Sequence, residues 1–173
     1  HECSSAASDV YKRQGHHVSL YDIDPAALSE AMNLLEINIA DLESNGLISS
    51  KDDLLGRIQP YKTLEGAVEE ADWVQENALE DVQIKRELFS RMDELLPETT
   101  ILASSTSAIP CSDISNGMKG AGRIIVAHPA NPPYLLPIVE LSGAPETKDE
   151  TIFRAKELLE AADMEVITIN KEI

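Results

Sequence analysis

The chain has 173 residues, enough for one α/β domain with its own hydrophobic core but short for a two-domain enzyme. Its 14 Lys and Arg face 31 Asp and Glu, and the net charge of −17 at pH 7 repels nucleic-acid phosphates and anionic membranes. The two cysteines, Cys3 and Cys111, lack metal-site spacing, and no apolar run approaches the roughly 20 residues of a membrane span. We therefore expect a soluble, cytoplasmic protein that binds neither nucleic acid nor membrane and carries no disulfide or metal site.

Short apolar runs alternate with helical periodicities, a pattern typical of βα units. A strand is predicted over 17–22, and Asp24 then caps a helix that has Pro25 at its first position and ends at Asn45–Gly46. The inward face of this helix carries apolar residues at helical spacing, namely Leu28, Met32, Leu35, Ile39 and Leu42.

Six further strands and five helices follow along the chain. In chain order they are a helical turn over 52–55, strand 58–62, helix 64–70, strand 72–76, helix 82–95, strand 100–104, a short helix over 111–114, strand 124–128, strand 138–141, helix 151–162 and strand 165–169. Helix 82–95 is predicted to bury Ile84, Leu88, Met92 and Leu95. Seven strands with intervening helices predict an α/β fold with a doubly wound, mostly parallel sheet covered on both faces.

Polar residues that end the apolar runs are the candidates for function, because ligands of such sheets bind beyond the carboxyl ends of the strands. Asp22 ends the first strand, where a carboxylate can accept hydrogen bonds from the ribose hydroxyls of a dinucleotide. A solvated loop carboxylate, or a helix cap shared with Asp24, is the alternative.

Two other strands are followed by polar loops. Glu80 and Asp81 precede a helix that carries Lys85, and a simple helix cap beside a solvated Lys85 is the alternative to a binding role. Residues 104–107 form a Ser/Thr loop that ends at Ser107 and could bind a substrate oxygen or a phosphate, although Ser/Thr turns are also common in purely structural roles.

The segment His128–Glu140 is the most specific feature of the sequence. His128 ends a buried strand, as a general base would, and Glu140 returns on the next strand, where it can bind the other ring nitrogen of the imidazole. The prolines between them stiffen the connection, and Asn131 adds an amide. A structural histidine is the alternative.

The glycine-rich motif of dinucleotide-binding domains is missing. G-x-G-x-x-G does not occur in the sequence, and Gly117, Gly120 and Gly122 have the reverse spacing and precede a strand instead of following one. Residues 1–14 are polar and predict no buried strand.

Taken together, these residues resemble the NAD-binding domain of the 3-hydroxyacyl-CoA dehydrogenase family, a Rossmann-type domain, from about Gly15 to the end of the chain. Within the family they are most similar to the branch of lambda-crystallin, that is, L-gulonate 3-dehydrogenase. The resemblance implies NAD as cofactor, with Asp22 at the adenosine ribose, Glu80 and Lys85 towards the nicotinamide, and Ser107 also near the cofactor.

The resemblance also implies oxidation of a 3-hydroxyl to a 3-keto group. His128 would be the base that takes the hydroxyl proton and Glu140 would orient and charge it, while Ser107 and Asn131 would bind the substrate oxygen and the polar network of the site. In typical CoA-dependent members, the segment that begins with this histidine resembles His-Phe-Phe-Asn-Pro. The segment that begins at His128 instead looks like that of the gulonate and carnitine dehydrogenase branches. We therefore expect a small hydroxy acid as substrate, with an acyl-CoA as the alternative.

The departures from the family lead to three expectations. Residues 1–14 are interpreted as a non-matching, non-native leader and residues 15–173 as a truncated NAD-binding domain without the family's helical second domain. In a sheet of order 3-2-1-4-5-6, loss of the central first strand would separate the side of strand 17–22 from the side of strand 72–76. The full-length parent is expected to be a homodimer, and a non-catalytic crystallin-like or inert Rossmann domain is the alternative to an enzyme.

Overall fold

A computed structural model of the protein describes residues 16–132 and 136–172. The proposed leader 1–14 and residues 133–135 of the proline-rich connection lie outside the described residues. No helix of the described part is long and apolar enough to cross a membrane. The chain divides into two compact units, of which the first comprises His1–Ala67 with Asn131–Leu136 and the second comprises Val68–Ala130 with Pro137–Ile173.

The first unit is built on a parallel pair of strands. Its elements are β1 (Val18–Leu20), α1 (Pro25–Ser44), α2 (Lys51–Leu55) and β2 (Ile58–Pro60), and α3 (Leu64–Val68) follows at the boundary of the two units. Asp24 caps α1 by accepting a 2.9 Å hydrogen bond from the backbone amide of Ala26, and Asn45 closes the other end, as the sequence predicts. The core of this unit packs Leu35, Ile39, Leu54 and Ile58 together.

The second unit contains a five-stranded sheet. Its elements are β3 (Trp73–Glu76), α4 (Val82–Leu95), β4 (Ile101–Ser104), α5 (Cys111–Ser115), a 3₁₀ turn (Ala121–Arg123), β5 (Ile124–Pro129), β6 (Ile138–Gly143), α6 (Asp149–Ala161) and β7 (Glu165–Thr168). The strands lie in chain order, with β3, β4 and β5 parallel, β6 antiparallel to β5, and β7 parallel to β6. The carboxyl ends of β3, β4 and β5 therefore meet at one edge, and β6 begins beside the end of β5.

The predicted architecture is confirmed. All seven strands occur within a few residues of their predicted bounds, and the fold is a mostly parallel α/β arrangement flanked by helices. Among the described residues, β1 pairs only with β2 and belongs to a different sheet from β3.

The predicted inward face of α4 is correct for Met92 but wrong for Ile84 and Leu95. Ile84 and Leu95 are 40% and 44% exposed, whereas Lys85 and Phe89 are fully buried together with Met92. The buried positions lie at i, i+4 and i+7, which is one regular face of a helix. A lysine thus lies on the buried face of this helix, and the alternative of a solvated Lys85 is wrong.

Candidate active site

Polar side chains connect the carboxyl ends of the three parallel strands. Gln75 at the end of β3 donates from Nε2 to Ser105 Oγ at 2.6 Å and to the carbonyl oxygen of Ala127 at 3.0 Å. Its Oε1 accepts a 3.0 Å hydrogen bond from the indole of Trp73. One glutamine side chain therefore fixes the loop after β4 and the last residues of β5 relative to β3.

Glu76 and Lys85 form a buried ion pair at the same edge. Lys85 Nζ lies 2.9 and 3.0 Å from the two carboxylate oxygens of Glu76, and only 1% of the lysine side chain is exposed. Ser104 Oγ donates to Glu76 Oε2 at 2.6 Å, and the amide of Ala78 donates to Oε1 at 2.5 Å. Each oxygen of this buried carboxylate has two donors, so the charge is fully compensated by its surroundings.

Glu80 connects this buried pair to the Ser/Thr loop after β4. Its Oε2 lies 3.4 Å from Lys85 Nζ, while its Oε1 accepts hydrogen bonds from the hydroxyl of Thr106 and from the backbone amides of Ser107 (3.2 Å) and Ala108 (3.3 Å). Partial burial alone would raise the pKa of the Glu80 carboxyl, but the hydrogen bond from Thr106 and the charge of Lys85 outweigh it and lower the pKa. The carboxylate is therefore held in its ionised form against the turn that carries Ser107.

Helix α4 begins next to this carboxylate. Asp81 is its cap and accepts hydrogen bonds from the amides of Gln83 and Ile84 at 2.9 and 3.0 Å. The capping role that the sequence left open between Glu80 and Asp81 thus belongs to Asp81. The carboxylate of Glu80 instead contacts Lys85 and the turn that carries Ser107.

His128 and Glu140 face each other across the antiparallel strands β5 and β6, where they are direct cross-strand partners. His128 Nδ1 lies 3.2 Å from Glu140 Oε2, and the side chains are 29% and 52% exposed. A carboxylate at Nδ1 favours the tautomer in which Nδ1 carries the proton, which leaves the lone pair of Nε2 as the proton acceptor. The arrangement has the geometry of an oriented general base that is open to solvent.

The remaining predicted site residues belong to the first unit. Asp22 is exposed directly after β1, and its Oδ1 accepts a 2.8 Å hydrogen bond from the amide of Asp24. Asn131 is exposed as well and follows the end of β5 by two residues. The roles of Asp22 and Asn131 in binding therefore stay predictions, because the contacts described above concern the second unit.

Comparison with known proteins decides the family of this chain. A model described as "3-hydroxyacyl-CoA dehydrogenase, NAD binding domain" matches residues 4–173. The chain belongs to the 3-hydroxyacyl-CoA dehydrogenase family. NAD is accordingly its cofactor, and the Rossmann-type fold predicted from the sequence is confirmed.

Relatives of this chain include proteins with different names. L-carnitine dehydrogenase of Streptomyces griseus is 36% identical over 160 residues, which cover 92% of this chain and 47% of the relative. Rabbit (Oryctolagus cuniculus) lambda-crystallin is 32% identical over 167 residues, which cover 95% of this chain and 52% of the relative. The chain therefore spans about half the length of the curated relatives it matches.

A solved member of the family has the same backbone arrangement. The crystal structure of 3-hydroxybutyryl-CoA dehydrogenase from Escherichia coli superposes with a TM-score of 0.93 at 25% identity, over 97% of this chain and 36% of that chain. The likeness extends over nearly the whole of this chain.

A buried polar group of the second unit fits the NAD that the family implies. The side-chain Oδ1 of Asn77, directly after β3, is buried and lacks a hydrogen-bond partner within the described part of the chain. A buried acceptor of this kind is rare unless a ligand or water satisfies it.

Sequence analysis assigned no role to Gln75 or Glu76. Both lie at the end of a predicted strand, and this position is the signal that points towards them. Nothing in the local pattern reveals that Lys85 is buried against Glu76.

Proposed function

We propose that this protein oxidises the 3-hydroxyl group of a 3-hydroxy acid or 3-hydroxyacyl-CoA to a 3-keto group with NAD. The observation that carries the proposal is the contact of 3.2 Å between His128 Nδ1 and Glu140 Oε2 at the carboxyl edge of the sheet. In a member of a family of NAD-dependent dehydrogenases, a paired histidine at this edge is suited to remove the hydroxyl proton.

His128 acts as the general base in this proposal. Its Nε2 accepts the proton of the substrate hydroxyl, and the resulting imidazolium is stabilised by the carboxylate of Glu140 at Nδ1. NAD, when bound, would accept the hydride from the carbon that bears this hydroxyl, which completes the two-electron oxidation to the 3-keto group. Ser107 and Asn131 are proposed to hydrogen-bond the substrate oxygen, by resemblance to the family.

Four residues are proposed to hold the cofactor. Asp22 would bind the adenosine ribose, while Glu80, Lys85 and Ser107 would serve the nicotinamide side. Since Lys85 is buried and Glu80 is 43% exposed, Glu80 would make the direct contact and Lys85 would support it from behind. This assignment combines the resemblance with the exposure of the two side chains.

A small free hydroxy acid is the proposed substrate, with an acyl-CoA as the alternative. Pro129 and Ala130 follow His128 in this sequence. In the segment typical of CoA-dependent members, two phenylalanines follow the histidine. Two relatives that are 36% and 32% identical to this chain are named L-carnitine dehydrogenase and lambda-crystallin. The protein is proposed to act as a homodimer in the cytoplasm.

A kinetic comparison tests the proposed base. His128→Ala is expected to lower kcat by roughly 10²–10⁴-fold, the size associated with loss of a general base, while the Kd for NAD stays nearly constant. Gulonate, carnitine and 3-hydroxybutyryl-CoA would be offered separately to wild type and variant, with NADH formation followed by absorbance. Equal rates in the two proteins would remove His128 from the mechanism, and turnover of the thioester alone would refute the free-acid proposal.

A non-catalytic or inert Rossmann domain is the second candidate, and the absence of a G-x-G-x-x-G motif favours it. Calorimetric titration of the 173-residue chain with NAD separates the two. Micromolar binding would refute the idea that the phosphate site is broken, and no binding would favour the inert alternative. ADP-ribose serves as the matched ligand, since it retains the pyrophosphate but lacks the nicotinamide.

A further inference from the structure

We propose that the buried Glu76–Lys85 ion pair positions Ser107 by holding Glu80 against the backbone of the Ser107 turn. The inference rests on the proposed function, because Ser107 matters for catalysis only if it binds the substrate oxygen there. Glu76 and Lys85 are then positioning residues, and Glu80 carries their effect to the site.

The first step of the argument is the buried pair itself. Lys85 Nζ also lies 3.4 Å from the carbonyl oxygen of Ala78, in addition to its two short contacts with Glu76. The backbone of Ala78 is thereby bound at both its amide and its carbonyl, since its amide donates to Glu76. These buried contacts of Ala78 fix the loop between β3 and α4, which carries Glu80.

The second step runs from Glu80 to the neighbouring loop. Lys85 attracts one oxygen of the Glu80 carboxylate, and the other oxygen accepts from Thr106, Ser107 and Ala108. The hydroxyl of Thr106 in turn accepts a 2.9 Å hydrogen bond from the amide of Ile109. Every one of these donors belongs to the turn after β4. Glu80 therefore constrains the part of that turn that carries Ser107, while Gln75 holds the preceding residue Ser105.

The third step concerns alternatives to this role. If Glu76 and Lys85 only stabilised the fold, an apolar pair of similar volume would serve as well or better, because burying two charges costs much of what their attraction returns. The pair also makes a contact outside the core. Its ammonium group contacts a half-exposed carboxylate that binds two backbone amides of a second loop.

The test compares hydrogen exchange of individual backbone amides, measured by NMR in the absence of NAD. In the double variant E76Q/K85M, which removes both charges together, the amides of Ser107 and Ala108 are expected to exchange at least about tenfold faster than in wild type, because their charged acceptor loses its support. The amide of Ala155 in α6 should keep its rate. Lys156→Met is the matched control, since its partner Glu160 is exposed and its pair lies on α6.

A second variant keeps the test decisive if the double variant does not fold. Glu80→Gln leaves the buried pair intact and alters a half-exposed side chain, and it should release the same two amides. Unchanged exchange of Ser107 and Ala108 in either folded variant would overturn the proposal. Equal acceleration at Ala155 would also overturn it, because it would indicate a general loss of stability.

Kinetics adds a readout that a purely structural pair would not affect selectively. E76Q/K85M is expected to lower kcat by about tenfold or more through misplacement of Ser107, whereas the KM for substrate changes less. If wild type turns over none of the three substrates, the proposed function fails, and the exchange rates still decide whether the buried pair positions the turn.

Discussion

Removing the ammonium of Lys85 alone should destabilise the second unit strongly. In Lys85→Met the carboxylate of Glu76 stays buried and keeps two donors, the hydroxyl of Ser104 at 2.6 Å and the amide of Ala78 at 2.5 Å. Loss of one partner of a buried ion pair typically costs about 3–5 kcal/mol, and the two remaining donors place the expected loss in the free energy of unfolding near ~3 kcal/mol. That is a large part of the roughly 5–15 kcal/mol by which a domain is stable.

Urea unfolding at pH 7 measures this loss. The single tryptophan, Trp73, lies on β3 three residues before Glu76 and provides a fluorescence signal from the affected unit. E76Q/K85M should recover most of the stability, because no charge is left buried without a partner. Lys156→Met, which alters an exposed pair, should stay within about 0.5 kcal/mol of wild type. A loss below about 1 kcal/mol in Lys85→Met, or a double variant less stable than the single one, would refute this reasoning.

Four smaller changes probe individual interactions. Asp24→Ala should cost about 1 kcal/mol of unfolding free energy through loss of the α1 cap, as read from denaturant midpoints. Because the pKa of Glu80 is lowered in the fold, its carboxylate stabilises the protein above pH 4.5 and this contribution is lost as the pH falls; the stability gap between wild type and Glu80→Gln should therefore narrow on acidification. Burial raises the pKa of Cys111 to about 11, so its thiol should resist iodoacetamide at pH 8 in peptide mapping unless the chain is unfolded. Glu140→Gln should lower kcat by at least about tenfold with an unchanged Kd for NAD, and equal kcat would separate Glu140 from His128.

The order of elements follows from the sequence because local signals mark it. Asp24 and Pro25 start α1, and the almost wholly apolar run that ends at His128 indicates a strand buried on both faces. The cross-strand contact of His128 with Glu140 was also foreseeable, since a short proline-rich connection returns the chain beside the strand it left. Only the antiparallel register makes the two residues direct partners, and that register depends on pairing that local patterns do not encode.

The phase of α4 could not be found in the same way. Hydrophobic periodicity counts lysine as polar and therefore assigns Ile84 and Leu95 to the core in place of Lys85. Burial of Lys85 is possible only because Glu76, nine residues earlier on β3, supplies the opposite charge. Such compensation depends on tertiary proximity, and a sequence pattern confined to one helix does not contain it.

The distribution of buried polar groups argues that this edge serves a function. Glu76, Lys85, Ser104 and Thr106 are all at most 3% exposed, and their hydrogen bonds converge on two carboxylates. An apolar set would pack at lower electrostatic cost, so stability alone gives little reason to retain them. What they provide is a fixed direction for a half-exposed carboxylate, Glu80, and for the turn bound to it. Fixed polar groups at strand ends are what an oriented reaction requires, because misplacement by about 1 Å can cost ~10²-fold in rate.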